Sequence, residues 1–208
     1  MSVIRIATTQ AELEAVYRFR YEIGVNELQR SCPHIDHRAG QLRHPLDETA
    51  VNFAAFDGST VIGAVRQNYG RAARFGALAS FYSIADSAAA AGAGLTITTG
   101  LMVTARERGG MTGSRLACAA YEHALTRDIR WGYIDCIAAL EPLFRRLGYI
   151  DHLPEAPHPE YGFPVRRLKL NLLDIEHLER VRSPFLELLR AYRRLSGPTM
   201  SFSSLEVS

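Results

Sequence analysis

The chain has 208 residues, 47% of them hydrophobic and 22% charged, which suits a single folded unit with one sizeable core. A formal net charge of +2 and an ordinary aromatic content leave no footprint of nucleic-acid binding. No basic start followed by an apolar run marks a secretion signal, and the uncharged run 87–105 is too rich in threonine and glycine to span a bilayer; Cys32, Cys118 and Cys136 lack Cys-x-x-Cys spacing and read as reduced thiols of a cytoplasmic protein.

The segment from Ser2 to Ala7 reads as a short strand, and Thr9-Gln-Ala-Glu12 has the capping-box form that opens a helix. Leu13, Val16, Tyr17 and Arg20 then follow at i, i+3, i+4 and i+7, which puts Arg20 on the apolar face. A buried, unpaired guanidinium is strongly unfavourable, so Arg20 calls for an acidic partner, carbonyl groups or a ligand carboxylate, unless its head reaches the surface. The stretch Ser31–His37, with His44 after it, offers metal-ligating side chains but cannot pair cysteines, and reads as an irregular polar loop beside an amine pocket with no metal. Val51–Phe56, Asp57-Gly58 and Thr60–Arg66 form a hairpin signal. The alanine- and glycine-rich segment 70–94, anchored by Phe75, Phe81 and Tyr82, reads either as short helices over a pocket or as filler.

Between Leu101 and Leu116 a β-rich run ending in Val103 breaks into glycine and becomes helical from about Ser114. Helix-start amides have no partner within the helix and favour anions, so this turn suits the pyrophosphate of a nucleotide-like or pantetheine-bearing molecule, or is a plain connection. Gly109, Gly110 and Gly113 leave the backbone open to a ligand, while neither Gly-x-x-x-x-Gly-Lys-Ser/Thr nor Gly-x-Gly-x-x-Gly is present. Ser114–Leu125 reads as a helix with Leu116, Ala120, Tyr121 and Ala124 along one face, and Tyr133–Ile137 as a strand. Pro142 opens a short helix closed by Gly148, the proline-rich His152–Phe163 reads as a long loop, and Val165–Leu172 as a strand. Ser183 and Pro184 fit the N-cap and first residue of a last helix, with Phe185, Leu188, Leu189 and Tyr192 as its apolar stripe. Arg180, Arg182, Arg190, Arg193 and Arg194 surround that stripe, as a solvated face or as a platform for an acidic carrier protein. Residues after Gly197 read as a frayed tail.

Arg108-Gly-Gly-Met-Thr-Gly113 resembles the Arg/Gln-x-x-Gly-x-Gly/Ala acyl-carrier loop of the GNAT acyltransferases, with Met111 at its first glycine. Pro142-Leu-Phe-Arg-Arg-Leu-Gly-Tyr149 is similar to that family's Tyr-x-x-x-Gly-Phe segment, with Phe144 where tyrosine is usual. The stretch Leu46–Arg66, preceded by the Arg-rich first helix, resembles the N-terminal half of acyl-homoserine-lactone synthases and N-acyl amino acid synthases. His44 stands where the lactone synthases have a first aspartate, and Ile97–Met102 lacks their Glu-x-Ser-Arg-Phe motif.

The resemblance implies an α/β (α+β) GNAT fold: a central mixed, mostly antiparallel twisted sheet flanked by helices. It implies a GNAT-like domain over 1–173, a helical extension over 174–197 packed on it, and a flexible tail over 198–208. The implied activity is transfer of a long-chain fatty acyl group from an acidic acyl carrier protein, or from acyl-CoA, to the amine of an amino acid or related small molecule. No tightly bound cofactor, nucleic acid or membrane-spanning segment is implied, although transient membrane contact is compatible with it. The backbone N–H near Val103 would polarise the thioester carbonyl; Met102, Val103, Arg108, Gly109, Gly110, Met111, Thr112 and Gly113 would hold the donor. Arg20 and Asp47 would form an active-site network with Arg66, and Phe81 and Phe144 would line the substrate.

Tyr149 or Tyr133 would protonate the leaving thiolate, unless it departs unassisted as its pKa near 8.5 allows. No base stands out among Glu48, Glu107 and Asp135, which favours an α-amine because about a tenth of it is neutral at pH 7. An acetyl-CoA-dependent N-acetyltransferase and a non-catalytic thioester binder are the alternatives.

Overall fold

A computed structural model of the chain describes residues 2–71, 74–84 and 94–196. Its centre is a seven-stranded sheet in the order β1-β4-β5-β6-β7-β9-β8. The strands are β1 (Val3–Ile6), β4 (Val51–Asp57), β5 (Thr60–Gly70), β6 (Gly94–Val103), β7 (Ile129–Cys136), β8 (Ile150–Pro157) and β9 (Pro164–Asn171). All neighbours run antiparallel except β6 and β7, and β2 (Ile35–Asp36) pairs with β3 (Gln41–Leu42) in a separate ribbon. This is the mixed, mostly antiparallel architecture expected from the sequence.

Helix α1 (Gln10–Tyr21) opens on the full capping box, Thr9 accepting from the Glu12 N–H and Glu12 from the Thr9 N–H, and runs on into a π-helical turn, Glu22–Glu27. Its Val16, Tyr17, Phe19 and Ile23 pack with Ala54, Phe56, Ala64 and Met102 on one face of the sheet. Helix α2 (Ala77–Phe81) covers the same side further along: Phe75, Leu78 and Tyr82 meet Leu95, Ile97 and Tyr133. The opposite face carries α3 (Thr112–Leu125), α4 (Glu141–Leu147), α5 (Ile175–Arg180) and α6 (Phe185–Ser196), whose Tyr121, Phe144, Leu147, Leu178, Phe185 and Leu189 bury against Ile134, Leu168 and Leu170. Thus α5 and α6 share a core with the sheet.

Three boundaries differ from expectation. The segment read as a loop over His152–Phe163 contributes most of β8, leaving only 158–163 as connection. As the outermost strand β8 bonds to β9 alone, so Pro154 and Pro157 withhold no N–H from a second neighbour. Helix α3 starts at Thr112, two residues early, and the last helix starts at Phe185 with Ser183 Oγ accepting its N–H at 3.1 Å. Of the alanine-rich segment, 72–73 and 85–93 lie outside the described residues, as does the expected tail after Gly197.

Two features of β6 shape the site. Against β5 the register slips by one residue between Thr99 and Met102, a bulge at which Gly100 takes φ +64°. Against β7 the ladder runs only from Gly94–Ile129 to Thr98–Ile134. Beyond that point β6 is bonded to β5 alone and β7 to β9 alone, Asp135 and Cys136 facing Arg167 and Arg166. The sheet therefore opens as a V between Thr99–Val103 and Asp135–Cys136.

Candidate active site

A cleft of about 110 Å³ passes through this V. Thr98, Thr99, Gly100, Leu101 and Met102 line it from β6, and Asp135 and Cys136 from β7. Consecutive strand residues point to opposite faces, so Asp135 and Cys136 divide the cleft into a charged half and an apolar half.

The β6 amides at the opening follow from the register. Thr104 gives its N–H to Ile62 O at 3.0 Å and Met102 is paired with Ala64, which turns the N–H groups of Leu101 and Val103 away from β5, toward the gap left by β7. Leu101 lines the cleft and Val103 lies one residue beyond Met102, the last β6 residue of its lining. The bulge at Gly100 brings Leu101 there, a signal the sequence carries only as one glycine inside a strand.

At the far end of β6 the turn 109–113 is open. Gly109 takes φ +76°, and side-chain atoms added at Gly109 or Gly113 would meet nothing within 4 Å. Met111, 70% exposed, precedes α3 without a side-chain cap, which leaves the first amides of the helix unsatisfied by that route. Thr112 instead gives its hydroxyl to Glu107 at 2.5 Å, and Arg108 is ion-paired with Glu27, so Arg108 braces the turn against the π-helical turn that follows α1.

In the charged half, Arg20, Asp47 and Arg66 come together although 46 positions separate the first from the last. Arg20 is 2% exposed and donates to Asp47 Oδ1 at 2.8 Å and to Asn52 Oδ1 at 2.5 Å. Arg66 Nη1 lies 3.6 Å from Asp47 Oδ2, and its Nε donates to Thr99 Oγ1 at 3.0 Å. Burial pushes the Asp47 carboxyl up, but the charges of Arg20 and Arg66, with hydrogen bonds from Arg20 and the His44 N–H, outweigh it and hold it below the usual carboxylate range. Arg20 Nε and Asn52 Nδ2 are buried without a hydrogen-bond partner among the described residues.

Facing this trio is a group in which the sequence points to His34, His44 and Asp135 but not to Glu160 or His158. The β8–β9 connection brings Glu160 to 2.5 Å from His44 Nε2 and 3.9 Å from His34 Nε2. His158 Nε2 lies 3.9 Å from Asp135 Oδ2, and Asp135 Oδ1 accepts the Tyr82 hydroxyl at 2.6 Å. Arg30 lies over the rings of Tyr161 and Phe163, at 5.6 and 5.1 Å, and has no ion pair among the described residues.

The Nδ1 atoms of His44 and His158 accept backbone N–H groups, from Leu46 at 2.9 Å and Glu160 at 3.1 Å. In the neutral rings this places the proton on each Nε2, the atom turned to a carboxylate. A metal on His44 Nε2 would need that proton on Nδ1, against the Leu46 N–H; the cluster of His34, His44 and Glu160 therefore suits hydrogen bonding better than metal ligation. Burial pushes Glu160 up, but the His44 hydrogen bond and the neighbouring imidazoles prevail and hold it low.

The apolar half is lined by Leu101, Ala117, Ala120, Tyr121, Phe144, Tyr149, Leu172 and Phe185. Burial pushes the Tyr149 phenol up, so it stays protonated, and pushes the Cys136 thiol up to about 12, which disqualifies it as a nucleophile near neutral pH. Phe144 and Tyr149 meet edge to face at 5.8 Å. Phe81 sits outside the lining, behind His158 at 5.8 Å. Tyr133 is buried against the α2 side, Glu48 is exposed, and Glu107 is at the turn, so of the carboxylates considered as base only Asp135 lines the cleft. On the last helix Arg190 is neutralised by Glu179 and Glu187, and Arg193 donates to Leu173 O.

No family model matches the chain, and no curated protein does. Solved structures do. FeeM, an N-acyl amino acid synthase from uncultured soil microbes, superposes with a TM-score of 0.68 at 16% identity, over 90% of this chain and 97% of that one. MesI, a CoA-dependent acyl-homoserine lactone synthase, gives a TM-score of 0.64 at 21% identity, over 91% and 95%. A putative N-acetyltransferase from Lactobacillus plantarum gives 0.58 at 18% identity, over 83% and 99%. The chain thus has the fold of these acyltransferases.

Proposed function

We propose that the protein is an N-acyltransferase that moves a fatty acyl group from an acyl carrier protein or CoA thioester to the amine of an amino acid or similar small molecule. The observation that carries this reading is the V between β6 and β7, which joins an enclosed apolar pocket to a pocket of paired charges. A thioester arm laid in the V would reach the amides of Leu101 and Val103 with its carbonyl, while the open turn 109–113 would receive the phosphate end. The first neighbour described above is named as an N-acyl amino acid synthase, in line with an amino-acid acceptor, and the second as CoA-dependent, in line with a CoA thioester as donor.

The acceptor half suits a zwitterion. Arg30, which has no ion pair among the described residues, and Arg66 offer a carboxylate two cations, and Asp135 and Glu160 face the cleft as counter-ions for an ammonium. The neutral amine attacks the thioester carbon, the carbonyl oxygen takes negative charge against the β6 amides, and the C–S bond then breaks as the nitrogen gives up its surplus proton to the Asp135 carboxylate and the sulfur gains one, leaving amide and free thiol. Tyr149 is the hydroxyl at hand in the apolar half for the departing sulfur, in place of the one Phe144 lacks. Arg20 and Asp47 act on Arg66 rather than on the reacting atoms.

Thiol release from acyl thioesters in the presence of a panel of amino acids, with mass spectrometry of the products, tests the proposal. Acylated amine is the expected result; no thiol release with any pairing would overturn it. The small cleft volume favours a second reading, an acetyl-CoA-dependent N-acetyltransferase, for which acetyl would be the best donor in the same assay.

A further inference from the structure

The apolar half of the cleft is bordered by two aromatic rings that come from distant parts of the chain. Tyr121 of α3 and Phe185 of α6 both line it and stack with ring centroids 4.1 Å apart and planes 6° from parallel. We propose that this stacked pair is the stop that sets the length of the acyl chain the protein accepts, which makes α6 part of the donor site. The inference rests on the acyl-transfer reading given above.

Both rings are held in place. The Tyr121 hydroxyl donates to Leu172 O at 2.5 Å. Phe185 opens α6 with its N–H on Ser183 Oγ at 3.1 Å, and that same hydroxyl donates to Leu147 O at 2.6 Å, tying the start of α6 to the end of α4. Phe185 is 1% exposed, Leu172 2% and Tyr121 4%, so the pair itself is sealed from solvent. Along α3 the cleft-lining residues run Ala117, Ala120, Tyr121, at i, i+3 and i+4, so a single helix face supplies a small-residue wall and then a large stop. A wall pinned through the Tyr121 hydroxyl and through the backbone N–H of Phe185 resists displacement by a methyl group. Acceptance should therefore rise with chain length and then fall abruptly, rather than decline by degrees.

The test measures kcat/KM for saturated acyl thioesters from butanoyl to hexadecanoyl with one fixed amine, for the wild type and for Phe185→Ala, Phe185→Leu and Ala117→Leu. Each methylene that still finds apolar surface adds about fourfold. The wild type should rise along the series and then drop sharply. Phe185→Ala should move the drop to chains roughly two to four carbons longer, with a gain of about tenfold or more at the first length that the wild type refuses. Phe185→Leu should move it the same way by less, and Ala117→Leu should move it toward shorter chains. If Phe185→Ala fails to fold, the two milder variants still decide, because they act in opposite directions. A wild type that transfers acyl groups but shows an unmoved drop in the folded variants overturns this inference alone; a wild type inert toward every donor overturns the acyl-transfer reading and takes this one with it.

Discussion

Replacing Asp47 by Asn removes the one negative charge between two buried guanidinium groups while keeping the shape of the side chain. Asp47 lies 2.8 Å from Arg20 and 3.6 Å from Arg66, and all three residues are less than a tenth exposed. Each pair at about 4 Å between charge centres is worth roughly 4 kcal/mol at an effective dielectric constant near 20, before desolvation is set against it. Breaking one partner of such a buried arrangement typically destabilises by about 3–5 kcal/mol, because the remaining charge is left uncompensated. For a chain of this size each kcal/mol corresponds to roughly 2–4 °C, so Asp47→Asn should lower Tm by roughly 6–20 °C in thermal unfolding followed by circular dichroism. The double variant Asp47→Asn with Arg20→Met removes one of the two stranded cations and should recover part of the loss, giving a non-additive cycle. A Tm within about 2 °C of wild type for Asp47→Asn, or strictly additive single effects, would refute the account of this cluster as a mutually dependent charge group.

Acid should act on the same cluster. The folded-state pKa of Asp47 is depressed, so its contribution is fully present above the unfolded carboxylate value near 3.9 and is lost as pH falls through the folded value; wild-type Tm should drop steeply below about pH 4, and the drop should be shallower in Asp47→Asn. Gly113→Val fills open space at the start of α3 and should raise the KM for a CoA or carrier-bound donor by about tenfold while leaving kcat within about twofold, and an unchanged KM would remove this turn from the donor site. Tyr149→Phe should lower kcat by roughly 10- to 100-fold with KM for the amine unaltered, whereas an unchanged kcat would show that the thiolate leaves without help.

The parts of the fold fixed by local chemistry could be read directly from the sequence. The capping box at Thr9, the Asp57-Gly58 hairpin and the left-handed Gly148 cap, with φ +109°, all declare themselves within a few residues. The placing of Arg20 on an apolar face was equally legible, and so was the demand for a partner, met by Asp47 and Asn52. Strand β8 escaped because its prolines argue against a strand only when both edges must bond, and edge position is a property of the whole sheet. The His44–Glu160 and His158–Asp135 contacts escaped for a related reason. They join segments up to 116 residues apart, and no periodicity or spacing encodes which loop will arrive opposite which. Glu160 lies in a stretch read as a long proline-rich loop, so only the turn of chain between β8 and β9 reveals what it faces.

The interrupted pairing at the centre of the sheet has a consequence for how the molecule responds to its ligand. Four strands on one side and three on the other share five ladder positions and then part, so each presents an interior border with unspent hydrogen-bonding capacity. An amide-bearing arm lodged there would behave as an eighth member of the sheet, bonded on both flanks. Occupancy should then stitch the two halves into one cooperative body, visible as slowed deuterium exchange along 99–103 and 135–136 with no change of fold.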